Sequence, residues 1–156
     1  MNYKNLKFEI ENNIGRIILN RPEAANAITI PLVKELLDIA IKCESGAPVR
    51  VLVLQGEGSI FCAGGDLKYM TEQENLREAI SEMIGILHVA LSKIDHLDTP
   101  MIGAITGTAA GAGLSLVSAC DMAVAGKSVK FTSAYTAAGL TPDGSSTFHL
   151  PRSIGK

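Results

Sequence analysis

From Pro100 to Cys120 the chain carries no charged residue, and that stretch constrains the fold more than any other feature. It is long enough to cross a bilayer, which takes about 20 apolar residues. Gly103, Gly107 and Gly111 give two overlapping GxxxG patterns of the kind that pairs membrane helices. Yet its residues are mainly Gly, Ala, Ser and Thr rather than Leu and Phe, so its transfer into lipid is poor. Gly103, Gly107, Gly111 and Gly113 also weaken any single helix, by about 1 kcal/mol each relative to alanine. The segment is therefore expected to divide into a buried strand at Met101–Thr106, a turn, and a short buried helix from Gly111 to Ala119.

The remaining pattern agrees with that division. Leu6 to Glu11 alternates polar and apolar residues, Asn12-Asn13 turns the chain, and Ile14 to Leu19 continues it, which predicts a β-hairpin. Thr29 is placed to cap a helix with Pro31 in its first turn and Leu32, Val33, Leu36, Leu37, Ala40 and Ile41 on its apolar face. Val49 to Leu54 reads as a strand buried on both faces. A long amphipathic helix is predicted from about Glu72 to His96. Asp121 to Ala125 and Val129 to Thr132 read as strands joined by a Gly126-Lys127 turn. Buried strands alternating with helices imply an α/β layer fold.

At 156 residues the chain fits one domain, or most of one. A net charge of −2 without any basic run gives no footprint for nucleic acid. Cys43, Cys62 and Cys120 lack metal-ligand spacing and read as reduced thiols. No secretory leader pattern opens the sequence, so a cytoplasmic location is expected, with no membrane partner.

Two glycine-rich segments stand out, Phe61-Cys62-Ala63-Gly64-Gly65-Asp66-Leu67 and Gly107 to Gly113. Each places small residues just before a candidate helix start, where free N–H groups and the helix dipole favour an anion. Paired backbone donors of this kind can stabilise an enolate oxygen, since they neither rotate away nor titrate. The plain alternative is a tight turn or a close helix contact. A dinucleotide loop is disfavoured because Gly111-Ala112-Gly113 lacks the third glycine, and a P-loop because no Gly-Lys-Ser/Thr follows.

Asn20-Arg21-Pro22, Asn26-Ala27, the Phe61–Leu67 segment, Thr99-Pro100, Gly107 to Gly113, Ala119-Cys120-Asp121 and Leu150-Pro151-Arg152 occur in that order along the whole chain. Together they resemble the crotonase family of enoyl-CoA hydratases and isomerases. The resemblance implies a crotonase-like spiral of β-β-α units and a coenzyme A thioester substrate. It implies no permanently bound cofactor, coenzyme A being part of the substrate, and no metal. By position, the backbone N–H groups of Gly65 and Ala112 are the expected oxyanion donors. Ala24, Ala27, Ala63, Gly64, Asp66, Leu67, Lys68, Gly111 and Tyr135 are the expected substrate contacts. Family members continue with C-terminal helices that complete the coenzyme A pocket and build trimers or hexamers. The 156 residues are thus expected to be an incomplete core with exposed apolar surface where those helices pack.

Hydratases resembling this chain carry two glutamates that hold and activate water. At those positions stand Ser115, after Leu114, and Tyr135, after Ala134. Neither hydroxyl serves as a base at neutral pH. The Gly139-Leu140-Thr141-Pro142-Asp143-Gly144 turn is instead similar to that of isomerase members, especially in the phenylacetyl-CoA degradation branch, where the turn aspartate is the acid/base. The resemblance thus favours a 3-enoyl-CoA to 2-enoyl-CoA (or ring-epoxide acyl-CoA) isomerase using Asp143. Enoyl-CoA hydratase, thioester hydrolase, dehalogenase and an inactive acyl-CoA-binding fragment remain open beside it. So does a plain turn role for Asp143, Pro-Asp-Gly being a common turn signal.

A pocket of the kind lined by Phe131, Tyr135 and Phe148 is expected to favour the protonated carboxyl. Asp66 reads as a helix cap and Ser115 as a helix filler. His88 and His96 read as structural residues, and His149 as a surface residue or a partner for Ser115. Cys62 and Cys120 read as small buried apolar groups.

Overall fold

A computed structural model describes residues 3–155. The hairpin forms where expected. Strand β1 (Leu6–Glu11) pairs antiparallel with β2 (Ile14–Leu19), setting Leu6 opposite Leu19. Helix α1 (Ile30–Glu44) follows, its N-terminus capped by Thr29, whose Oγ1 accepts the Leu32 N–H at 3.4 Å. Leu32, Val33, Leu36 and Ala40 are buried, whereas Ile41 at the edge of the predicted stripe is exposed. Glu35 reaches back from α1 and accepts the backbone N–H groups of Lys4, Asn5 and Leu6, which ties the helix to the start of β1.

Three further units repeat the pattern of two strands and a helix. The strands are β3 (Val51–Gly56) with β4 (Ile60–Cys62), β5 (Met101–Ile105) with β6 (Thr108–Ala110), and β7 (Met122–Ala125) with β8 (Phe131–Thr132). The first strand of each unit joins one sheet in the order β1-β2-β3-β5-β7, and the second joins another in the order β4-β6-β8. Every pairing after the hairpin is parallel. Parallel neighbours need crossovers, and the helices α2 (Leu67–Thr71), α3 (Leu76–Asp95) and α4 (Ala112–Ser118) supply them, with α5 (Ser146–Ile154) closing the series. This is the α/β spiral of β-β-α units. The uncharged stretch is spent on β5, β6 and α4, and no helix among the described residues is long and apolar enough to cross a membrane.

The long helix expected from about Glu72 to His96 forms as α3, whose start is capped by the Asn75 side chain accepting the Glu78 N–H at 3.2 Å. The short α2 precedes it, beginning after Asp66. The strands on either side of Gly126-Lys127 both form and join different sheets, and residues 146–154 form α5. Exposed apolar surface is present as expected, at Met122 and Val124 of edge strand β7 and at Phe131, Phe148 and Ile154.

Cys62 and Cys120 sit in the core and burial pushes each thiol up to about 12, while Cys43 on α1 is half-buried. A thiol that stays neutral in the fold but ionises near 9 when unfolded stabilises the protein below pH 9. That contribution is lost as pH rises from about 9 to about 12. Denaturant midpoints are expected to fall across this window, less steeply in Cys62→Ala and Cys120→Ala. A thiol reagent at pH 8 should label Cys43 before the other two.

Candidate active site

The site begins with the loop after β2. Ala25 and Asn26 both adopt left-handed backbone conformations, and the loop then runs beside the first glycine segment. Ala63 N–H donates to Ala25 O at 3.0 Å, Ile28 N–H to Gly64 O at 2.7 Å, and Asp66 N–H to Ile28 O at 2.9 Å. The Asn26 side chain is fully buried. It accepts the Arg21 N–H and donates to the carbonyls of Glu57 and Ile60, each at 2.8 Å. Arg21 donates to the Ala27 carbonyl and, at 3.0 Å, to Asp66 Oδ2. Asp66 Oδ1 in turn accepts the Tyr69 N–H at 2.9 Å, so Asp66 caps α2 as expected.

That ladder decides where Gly65 points. Peptide groups alternate along an extended segment, so with Gly64 O and Asp66 N–H turned toward Ile28, the Gly65 N–H faces the other way. The second glycine segment lies on that side. Gly64 has φ +99°, and a Cβ on it would lie 3.0 Å from Ala110 O and 3.4 Å from Ala112 N. A Cβ on Gly113 would lie 2.3 Å from Cys62 O, inside contact distance, so only glycine lets α4 start against β4. Ala112 is the first residue of α4, and its N–H has no carbonyl one turn back. Among the described residues, neither Gly65 N–H nor Ala112 N–H donates to a backbone carbonyl outside regular elements.

Both residues line a cavity of about 130 Å³. Ala63, Gly64 and Gly111 complete its backbone wall, and Met70, Ile80, Met83, Ile84, Leu87 and Leu140 make its apolar wall. Leu67, Tyr135 and Asp143 also line it. Of the expected substrate contacts, Ala24, Ala27, Asp66 and Lys68 lie outside this lining. Phe131 and Phe148 do not line it either, which corrects the expected aromatic pocket: both are exposed, and Phe148 packs instead edge-on to His149.

Asp143 is the one carboxylate in the lining. Its main-chain carbonyl accepts Ser115 Oγ–H at 2.9 Å, Ser146 Oγ–H at 2.8 Å and Ser146 N–H at 3.1 Å. Its Oδ1 accepts the Tyr135 phenol at 2.7 Å, and Tyr135 and Ser115 share a 2.5 Å bond. Burial, reinforced by the bond to Asp143, pushes the Tyr135 phenol well above its usual range and keeps it protonated. Ser115, read from sequence as a filler, thus belongs to the site. No pattern links positions 115, 135 and 143 along the chain. His149 lies 4.0 Å from Asp95 rather than beside Ser115.

The sequence profile of the enoyl-CoA hydratase/isomerase family matches residues 9–156. A Rhodobacter capsulatus protein named probable enoyl-CoA hydratase is 36% identical, the alignment covering 99% of this chain and 59% of that protein. The trans-2-decenoyl-[acyl-carrier-protein] isomerase of Streptococcus mutans is 31% identical over 99% of this chain and 60% of its own length. Among solved structures, enoyl-CoA hydratase from Bacillus anthracis superposes with a TM-score of 0.89 at 31% identity, over 98% of this chain and 59% of that one. The chain therefore spans about 59% of the length of the first of these relatives.

The Ser115–Tyr135–Asp143 cluster generates a direct test. Tyr135→Phe removes the Tyr135 donor to Asp143 Oδ1 and one of the two partners of the buried Ser115 hydroxyl, which keeps its bond to the Asp143 carbonyl. It is expected to cost about 1–3 kcal/mol in chemical denaturation. Ser115→Ala in the same background should cost less than it does alone, since both residues serve one network.

Proposed function

The chain belongs to the enoyl-CoA hydratase/isomerase family, and on that premise we propose that it forms the catalytic core of a 3-enoyl-CoA to 2-enoyl-CoA isomerase. The carrying observation is that, among the described residues, Asp143 is the only carboxylate lining a cavity that Gly65 and Ala112 also line. Moving a double bond needs one base and one acid in succession, and a single carboxyl supplies both. Hydration by the pair of glutamates known in the family needs two carboxylates, and Ser115 and Tyr135 stand at those positions, bonded to each other.

In this reading the thioester carbonyl sits between the N–H groups of Gly65 and Ala112. The Asp143 carboxylate takes a proton from C2. The electron pair moves onto the thioester oxygen, and the two N–H groups hold the resulting dienolate. The protonated Asp143 then delivers the same proton to C4, the double bond settles between C2 and C3, and the enzyme returns to its starting state. No atom is gained or lost. The apolar wall from α3 keeps water from the dienolate.

The hydroxyl network suits a group that changes protonation twice per turnover. When Asp143 is ionised, Tyr135 donates to it and Ser115 donates to the Asp143 carbonyl. When Asp143 is protonated, its proton can point to Tyr135, that of Tyr135 to Ser115, and that of Ser115 to the carbonyl, so the link between the two hydroxyls, empty in the ionised state, gains a proton as well. The isomerase name of the Streptococcus mutans relative supports the same reading.

Purified protein given 3-enoyl-CoA should yield 2-enoyl-CoA at unchanged mass, whereas hydration adds the mass of water. In D₂O, part of the product should retain the C2 proton at C4. Asp143→Asn should lower the rate by about 10²–10⁴-fold; a variant at full rate, or a hydrated product, would sink the proposal.

A further inference from the structure

We infer that His88 is a positioning residue for the acid/base carboxylate, an inference that rests on the isomerase reading of Asp143. His88 lies on the exposed side of α3 and is 56 residues from Gly144 in sequence, yet its Nε2 accepts the buried Gly144 N–H at 3.0 Å. The Gly144 N–H and the Asp143 carbonyl belong to one peptide plane. Ser115 and Ser146 hold the carbonyl side through three donors, while His88 holds the N–H side.

That plane sets the torsion on which the Asp143 side chain hangs, and the turn cannot hold it alone. Gly144 and Ser145 follow with φ of +58° and +61°, two successive left-handed residues, the second of them not a glycine. Packing supports the turn from below: a Cβ on Gly144 would meet Ser115 Cβ at 2.8 Å, with Leu91 of α3 behind it. The His88 bond therefore ties the carboxylate to the helix that also forms the cavity's apolar wall.

The bond requires a neutral imidazole with its proton on Nδ1, because a doubly protonated ring has no acceptor.

The test uses His88→Leu, which cannot accept, and His88→Gln, which can. His88→Leu should lower kcat by about ten- to hundredfold, the effect of misplacing a reacting group by about 1 Å, with KM within about twofold. His88→Gln should recover most of that loss. An unchanged kcat in His88→Leu, or a His88→Gln variant as slow as His88→Leu, overturns the inference. Amide hydrogen exchange at Gly144 separates this from the identity of the acid/base. Faster exchange in His88→Leu and protection in His88→Gln support the clamp even if Asp143→Asn leaves the rate intact, and equal exchange in all three proteins overturns it.

Discussion

The site depends on a backbone-to-backbone contact between two segments that are far apart in sequence. Gly113 at the start of α4 lies under the Cys62 carbonyl so closely that even a methyl group would overlap it at 2.3 Å. Gly64 packs in the same way against residues 110–112. Because no side chain intervenes, the Gly65 and Ala112 N–H groups reach the same cavity. The spiral makes the approach possible: β4 and β6 are parallel neighbours in the small sheet, and each hands the chain directly to a glycine turn and a helix. The Asn26 and Arg21 side chains then fix the first segment from behind, with every buried polar atom of Asn26 engaged.

The carboxylate is placed by a different device. Asp143 belongs to a turn with left-handed residues on its C-terminal side, a conformation that persists only when the surroundings over-determine it. Those surroundings come from α4 through Ser115, from the segment after β8 through Tyr135, from α5 through Ser146 and from α3 through His88. An anion-holding frame built from main chain is thus combined with a reacting group held by replaceable side chains. The frame tolerates almost no substitution, whereas the turn can be retuned by changing one hydroxyl at a time.

That difference also governs what could be read without coordinates. The hairpin, α1 and both glycine segments were legible because each is a local pattern: alternation, a Thr29 cap with Pro31, small residues before a helix. Strands β4 and β6 are three residues long, and Thr108-Ala109-Ala110 has neither alternation nor bulk, so only their parallel partners mark them as strands, whereas β8 lies within the apolar Val129–Thr132 run. The long helix was legible from its apolar period, and only its start shifts, from about Glu72 to Leu76, where Asn75 caps it. Phe131 and Phe148 misled for a physical reason. An aromatic near a polar turn suggests a pocket wall, but both rings are exposed on the surface flanked by β7 and α5. The Ser115–Tyr135 bond spans 20 residues and the His88–Gly144 bond 56, with no periodicity connecting either pair.

The glycine frame by itself does not choose a reaction, because a pair of fixed main-chain donors can hold any enolate oxygen placed between them. Choice comes from which titratable group reaches the α-carbon and whether water can be activated beside it. Here the described residues line the cavity with one carboxylate, the Tyr135 hydroxyl and mostly apolar side chains, and the buried Ser115 hydroxyl is bonded to Tyr135. Tyr135 is held protonated by burial and by the carboxylate it serves, so it can relay or stabilise a proton but cannot take one from water. A carboxyl that keeps a hydrogen-bond partner in both protonation states loses little when it gives up its proton and little when it regains one. A single carboxyl of that kind can act as acid and base in turn, which is the chemistry the proposed function asks of Asp143.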